Sequence, residues 1–289
     1  MHNADISFPL FGEGFVLTFS NHFSIFGFQV YFYGVILALG VLVATVYAMW
    51  RAEEFGFTRE NILDYLLFVI PAAVIVSRLY YVAIQPETLR GDPLRIITGI
   101  RDGGLTIYGV VLGAVLGAYL CSRMKKLDFW SFTDLGAMGL LIGQSIGRWG
   151  NFVNRELFGV PTEVPWRMGL TTAAGTIYVH PTFLYESMWN TLGLVLLHIY
   201  SKQVTDRYKG QLFTFYLGWY GLGRIWVEAL RDPSQNMHIF ETIPVNMLVA
   251  ILCVLGAIGA NYVLSKRHRE KAETKGKSEK KPKGKNKED

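Results

Sequence analysis

Residues 135–159 read LGAMGLLIGQSIGRWGNFVNRELFG. The first half is apolar and rich in glycine, as a membrane-embedded helix would be. Residues 147–159 then hold Arg148, Asn151, Asn154, Arg155 and Glu156. A charged side chain in hydrocarbon forfeits its hydration, so polarity of this density belongs where a span meets water or a wet cavity. The stretch reads as a transmembrane helix whose end receives an ionic group, and an anionic lipid headgroup is the natural one.

The rest of the chain supports a membrane setting. Of 289 residues, 51% are hydrophobic and 18% charged, against about 25% charge in a soluble domain. Apolar runs occur at 27–50, 62–84, 104–122, 132–150, 182–200, 211–229 and 242–264, the fourth and sixth being the least apolar. As helices they would be about 27–36 Å long, enough to cross the hydrocarbon layer. The expected fold is all-α: a polytopic membrane protein of about seven transmembrane helices. An integral-membrane catalytic domain would fill 1–265, with an extracytoplasmic loop region around 151–181. Residues 266–289, KRHREKAETKGKSEKKPKGKNKED, read as a disordered basic tail near anionic lipid. That tail supplies most of the +5 formal charge, so the charge is no sign of nucleic-acid binding. The first 26 residues carry no Lys or Arg, which argues against a secretory signal peptide. Cys121 and Cys253 lie in separate apolar runs and read as small buried hydrophobes, neither disulfide-bonded nor activated.

Charge sets the orientation. Arg51, Arg59, Arg123, Lys125, Lys126, Lys202, Arg207, Lys209 and the basic tail fall on one side. Arg90, Arg95, Arg101, Arg148, Arg155, Arg167 and Arg231 fall on the other. The positive-inside rule makes the first side cytoplasmic, so the N-terminus is outside and the C-terminus inside. Every lysine is then cytoplasmic, and every outer or intramembrane cation is arginine, whose planar fork suits phosphate.

Three arginines share a local setting: VSRLYY (Arg78), IGRWGN (Arg148) and LGRIWVE (Arg224). Each sits near the outer end of its span, so the three are expected at one depth. Their mutual repulsion calls for an anion, and a phosphate in the outer leaflet fits. Arg224 has Glu228 on the same face at i+4. Asn151 and Asn154 are placed to donate to phosphate oxygens or to a glycerol hydroxyl. Glu156 would neutralise Arg155 or order the loop, and Gly147, Gly150 and Gly159 would permit tight turns. Tyr33 and Tyr108 lie toward the outer side, where they serve an aromatic belt or reach the site. Gly109, Gly113 and Gly117, four apart, form a small-residue packing face. HPTFLYE (180–186) opens the fifth span; His180 would cap the helix or act as a general base. Asp64 and Asp134 sit near cytoplasmic helix ends and favour the helix dipole. No metal-ligand cluster, nucleotide loop or Ser/His/Asp motif is present, so no cofactor or metal is expected. A lipid transporter would spread its polar residues through the membrane, and a headgroup transferase would carry acidic metal motifs.

GRWGNFVNRELFG resembles the signature of bacterial prolipoprotein diacylglyceryl transferases, approximately G-R-x-G-N-F-x-N-x-E-x-x-G. RDGGLTIYG (101–109), HPTFLYE and YGLGRIWVEALRDP (220–233) match further family motifs in the same order, over about residues 20–265. The resemblance implies a seven-span enzyme of the bacterial cell membrane, with its site toward the outer leaflet. Its partners would be phosphatidylglycerol and preprolipoprotein signal peptides bearing a lipobox cysteine. The sn-1,2-diacylglyceryl group would move to that thiol as a thioether, and glycerol phosphate would leave. By similarity Arg148, Asn151, Gly159 and Arg224 are the essential positions, with Tyr33, Tyr220, Glu228 and Arg231 in the site region. One departure concerns the base. Many relatives carry His after the Gly-Gly pair where this chain has Tyr108, a candidate catalytic position; either Tyr108 positions lipid, or His180 or Glu228 takes the proton, or the arginines alone favour thiolate.

Overall fold

Each of the seven apolar runs supplies most of one long helix. The computed structural model describes residues 4–12, 14–89, 91–98, 104–232, 238–239 and 243–279, so Arg90, Arg101 and the tail from 280 onward fall outside the described residues. In chain order the elements are β1 (Asp5–Ser7), β2 (Val16–Leu17), β3 (His22–Ile25), β4 (Phe28–Tyr31), α1 (Phe32–Arg51), α2 (Arg59–Ile84), α3 (Arg95–Thr98), α4 (Ile107–Lys125) and α5 (Phe129–Asn154). They continue with β5 (Met168–Thr172), β6 (Gly175–Val179), α6 (Thr182–Gln203), α7 (Gln211–Ala229), β7 (His238–Ile239), β8 (Ile243–Pro244) and α8 (Val245–Glu279).

Among the described residues, four stretches are long and apolar enough to cross a membrane by composition: Phe32–Phe55, Arg59–Ile84, Ile107–Lys125 and Val245–Glu270. α5, α6 and α7 fall short, so the fifth run joins the fourth and sixth as less apolar than a span ordinarily is. The residues that make them polar are Gln144, Ser145 and Arg148 in α5, Glu186 and Asn190 in α6, and Arg224 and Glu228 in α7. Most of these residues meet one another below. α8 remains helical to Glu279, through the first half of the basic segment expected to be disordered.

The all-α expectation needs correction. The 151–181 region is no plain loop: β5 and β6 form a hairpin, and the N-terminal segment adds β1 and β2 to give one antiparallel sheet in the order β2-β1-β5-β6. β1 pairs Asp5, Ile6 and Ser7 with Thr171, Leu170 and Gly169. Beneath it Ala4, Ile6, Met168, Leu170, Val179 and Phe183 form a buried cluster, with Phe19, Phe152 and Phe158 packed against it. The sheet therefore rests on the end of α5 and the start of α6, where the polar residues begin.

The chain divides into two compact units, residues 1–44 with 137–289, and residues 45–136. In the 45–136 unit α2 and α4 meet along the glycine face. A Cβ at Gly109 would fall 2.4 Å from Ser77 Cα, at Gly113 2.4 Å from the Ala72 carbonyl, and at Gly117 2.6 Å from the Phe68 carbonyl. Glycine is what lets these backbones touch. Tyr65 stacks on Phe132 with ring centroids 3.5 Å apart and shares a 2.7 Å hydrogen bond with the Ser122 hydroxyl.

In the other unit α6 and α7 are braced by two indoles. Trp189 and Trp219 stack at 4.2 Å, and each Nε1–H donates to the other's carbonyl at 3.0 Å. α5 joins α6 through Ser145 and Thr191 hydroxyls at 2.7 Å, and α7 through Gln144 Nε2 donating to the Tyr216 hydroxyl at 2.7 Å.

Candidate active site

The end of α5, the start of α6 and the end of α7 bring three arginines onto two carboxylates. Glu186, on the second turn of α6, is the hub. Its Oε2 is 2.6 Å from Arg148 Nη2, its Oε1 is 2.7 Å from Arg231 Nη2, and Arg224 Nη1 donates to both oxygens at 3.2 Å. Glu228 is the second anion: its Oε2 lies 2.7 Å from Arg224 Nη2 and 3.3 Å from Arg231 Nη1, while Asn246 donates to Oε1 at 3.2 Å. Three guanidinium groups on two carboxylates leave one positive charge in excess. Buried charge is tolerated only when paired in this way. Arg231 lies past the end of α7; burial, reinforced by the neighbouring Arg224, lowers its pKa from the ordinary value. Among the described residues its buried Nε has no hydrogen-bond partner.

The three arginines are not equally enclosed. The side chains of Arg231 and Arg224 are 3% and 8% exposed, that of Arg148 20%. Arg148 is thus the open edge of the cluster. From it a polar chain runs into the loop: Arg148 Nη1 donates to Asn151 Oδ1 at 3.2 Å, and Asn151 Nδ2 donates to Glu156 Oε1 at 2.8 Å. Asn154 Nδ2 reaches the same Glu156 oxygen at 3.4 Å. Of the two roles foreseen for Glu156, ordering the loop is the one seen. Arg155 turns the other way at a left-handed φ of 52°, and its fork donates to the carbonyls of Ala4 (3.0 Å), Val153 (2.5 Å) and Phe19 (2.6 Å) over the Phe19 ring. It ties the N-terminal segment to the end of α5.

Tyr33 packs over Gly150, where an added Cβ would fall 2.6 Å from its ring, and Arg148 and Glu156 are within electrostatic reach of its hydroxyl. Tyr220 joins Glu186, Trp189, Asn190, Gly223 and Arg224 around a small crevice. Gly159 has a role the sequence reading missed. It forms an antiparallel bridge with Arg231, its N–H donates to the His180 carbonyl at 2.9 Å, and Val160 N–H donates to the Leu230 carbonyl at 2.9 Å. A Cβ there would stand 2.6 Å from His180 Cβ and 2.7 Å from the Leu230 carbonyl. Gly159 serves as the thin strand that holds Arg231 in place rather than as a turn.

His180 has its ring hydrogen-bonded through Nδ1 to the Tyr185 hydroxyl at 3.1 Å, and that hydroxyl also accepts from Trp166 Nε1 at 2.8 Å. Burial lowers the His180 pKa below the ordinary imidazole value. Arg78 and Tyr108 belong to the 45–136 unit. There the Arg78 fork donates to the carbonyls of Arg95 (2.7 Å), Ile96 (2.9 Å) and Gly104 (3.3 Å), holding the loop before α4 against α2. Tyr108 stands ring to ring with Tyr80 at 6.5 Å.

One residue at the centre was passed over in the sequence. Glu186 ends the HPTFLYE motif, yet in that motif the sequence points first to His180. The arginines also do not wait for an outside anion to relieve their repulsion, because Glu186 and Glu228 supply most of the counter-charge. An ionisable residue inside a candidate span is itself a functional signal, and applied to the 182–200 run that rule picks out Glu186.

Comparison with known proteins follows the same lines. The family model described as prolipoprotein diacylglyceryl transferase matches residues 20–263. Among similar chains is the phosphatidylglycerol–prolipoprotein diacylglyceryl transferase of Halalkalibacterium halodurans, 39% identical over 239 residues, 80% of this chain and 81% of the relative. The protein of the same name from Listeria monocytogenes is 38% identical over 238 residues, 80% of this chain and 85% of its own. That from Enterococcus faecalis is 34% identical over 248 residues, covering 82% and 87%.

Proposed function

The chain belongs to the prolipoprotein diacylglyceryl transferase family, and from that premise we propose that it moves the sn-1,2-diacylglyceryl group of phosphatidylglycerol onto the lipobox cysteine of preprolipoprotein signal peptides. The thiol sulfur attacks the glyceryl carbon next to the phosphate. A carbon–sulfur bond forms, the carbon–oxygen bond breaks, and the electron pair leaves on glycerol phosphate. The nucleophile comes from the client, so the enzyme needs no reactive cysteine of its own. In this reading all seven long helices cross the bacterial cell membrane, with the N-terminus outside and the site toward the outer leaflet.

The observation that carries the reading is the cationic excess of the arginine cluster, opened to the surroundings at Arg148. Negative charge grows on the leaving phosphate oxygen as the bond breaks. Donors fixed beforehand at that position stabilise the transition state more than the ground state. Arg148 makes the phosphate contact. Arg224, pinned by Glu186 and Glu228, and Arg231, pinned by the Gly159 bridge, keep the local potential positive. Asn151 orients Arg148, and Tyr33 covers the turn at Gly150. Glu228 already serves three donors and is poorly placed to take a proton. His180, held neutral at pH 7, is the acceptor we assign to the thiol proton. Arg78 serves the loop before α4, and Tyr108 positions lipid.

The test uses the purified full chain with labelled phosphatidylglycerol and a lipobox peptide. The expected result is a thioether-linked diacylglyceryl peptide and one glycerol phosphate per turnover, with phosphatidylethanolamine a poor donor. Arg148→Ala and Arg224→Ala should each lose transfer while still inserting. Full turnover in the Arg148 variant would refute the phosphate contact.

A further inference from the structure

Asn190 lies on α6 one helical turn beyond Glu186, is 5% exposed, and makes no side-chain hydrogen bond among the described residues. Its amide carries two donors and an acceptor, and since its polar atoms are not among the sealed, unpartnered ones they are left to meet whatever enters beside them. It lines the crevice that Glu186, Trp189, Tyr220, Gly223 and Arg224 complete. The space there, about 10 Å³, is close to that of one water-sized group.

The lining limits what can sit there. Trp189 Nε1 is engaged by the Trp219 carbonyl, and both terminal nitrogens of Arg224 are engaged by carboxylates. The crevice therefore offers a neutral amide and a phenol rather than an available cation, so it does not suit a phosphate. An ammonium group is also disfavoured, since Glu186 already carries three guanidinium partners and Arg224 forms part of the wall. A hydroxyl both donates and accepts, and it matches the amide of Asn190. The wall is flat where it must be: a Cβ on Gly223 would meet Trp189 Nε1 at 2.3 Å. Two of the lining residues, Glu186 and Arg224, belong to the arginine cluster, so the crevice shares a wall with it. A glycerol hydroxyl stands only a few bonds from its phosphate.

We propose that this crevice is a subsite for one headgroup hydroxyl of the lipid donor, and that Asn190 is the specificity residue that reads it. The proposal rests on the transferase reading. It is tested by comparing kcat/KM for phosphatidylglycerol with that for phosphatidylpropanol, which keeps the phosphate and the three-carbon group but lacks both hydroxyls. The wild-type chain should favour phosphatidylglycerol by about tenfold or more, the scale of a buried hydrogen bond kept or lost. Asn190→Leu, near in volume, should bring that ratio close to one, and Asn190→Ala measured alongside should do the same if the leucine variant accumulates poorly. A ratio unchanged from wild type in both variants, whatever the absolute rates, would mean the crevice holds only water and would overturn the proposal. So would a wild-type chain indifferent to the two lipids. A wild-type chain that transfers from neither lipid would instead overturn the transferase reading, and the subsite with it.

Discussion

Gly159 and Arg231 face each other as an antiparallel bridge, so the position of a buried guanidinium depends on a residue without a side chain. The Cβ of an alanine at 159 would meet His180 Cβ at 2.6 Å and the Leu230 carbonyl at 2.7 Å. Neither neighbour is the far end of a flexible side chain. Gly159→Ala should push the 230–231 segment away and shift Arg231 on Glu186 and Glu228. A displacement near 1 Å costs on the order of 100-fold in rate. Transfer assays on vesicle-embedded protein check this, and a variant with wild-type turnover would show that Arg231 tolerates the shift.

Glu186→Gln should be among the most damaging single changes in the chain. It removes the anion shared by Arg148, Arg224 and Arg231 and leaves three guanidinium groups around one carboxylate. Breaking one partner out of a buried ion cluster costs roughly 3–5 kcal/mol. Thermal unfolding in detergent should show a clear loss, larger than for Arg148→Gln, because Arg148 is the more exposed member.

His180 gives the stability a pH dependence of known sign. Burial lowers its pKa in the folded chain, so the unfolded chain binds the proton more readily. Stability is then complete above the ordinary imidazole pKa of about 6.5 and is lost as pH falls through the lower folded value. Unfolding temperatures measured from pH 8 to pH 5 should drop toward the acid end, and His180→Gln should flatten that part of the curve. If His180 takes the thiol proton, the rate should fall over the same window.

Gly113→Ala tests the seam of the 45–136 unit. Its Cβ would fall 2.4 Å from the Ala72 carbonyl and 2.7 Å from Ala73 Cα, both backbone atoms. Overpacking of this kind typically costs about 1–3 kcal/mol. A lowered unfolding temperature is expected, whereas alanine at Gly143, which has open space beside it, should leave that temperature near wild type.

The helices were legible because lipid demands long apolar runs, and such runs show in one dimension. The glycine face of α4 was legible for a related reason: spacing on one helix suffices to reveal a seam. Arg148 and Arg224 stood out as cations inside apolar surroundings. What could not be read was closure between distant segments. β1 finds its partner β5 more than 150 residues later, and no local pattern in Asp5–Ser7 announces that pairing. Glu186 was visible as an intramembrane carboxylate, but that it gathers three arginines from α5 and the end of α7 depends on how helices meet. Arg155 looked like a partner for its neighbour Glu156, and only the fold shows it gripping the Ala4 and Phe19 carbonyls instead.

The paired indoles of Trp189 and Trp219 carry an optical consequence. Rings stacked at 4.2 Å with an interplanar angle of 15° share their electronic excitation, so they should give a coupled signal in near-ultraviolet circular dichroism. Trp189 also borders the Asn190 crevice. Any occupant that parts α6 from α7 would weaken that coupling, and the molecule therefore contains its own spectroscopic gauge of what enters beside Arg224.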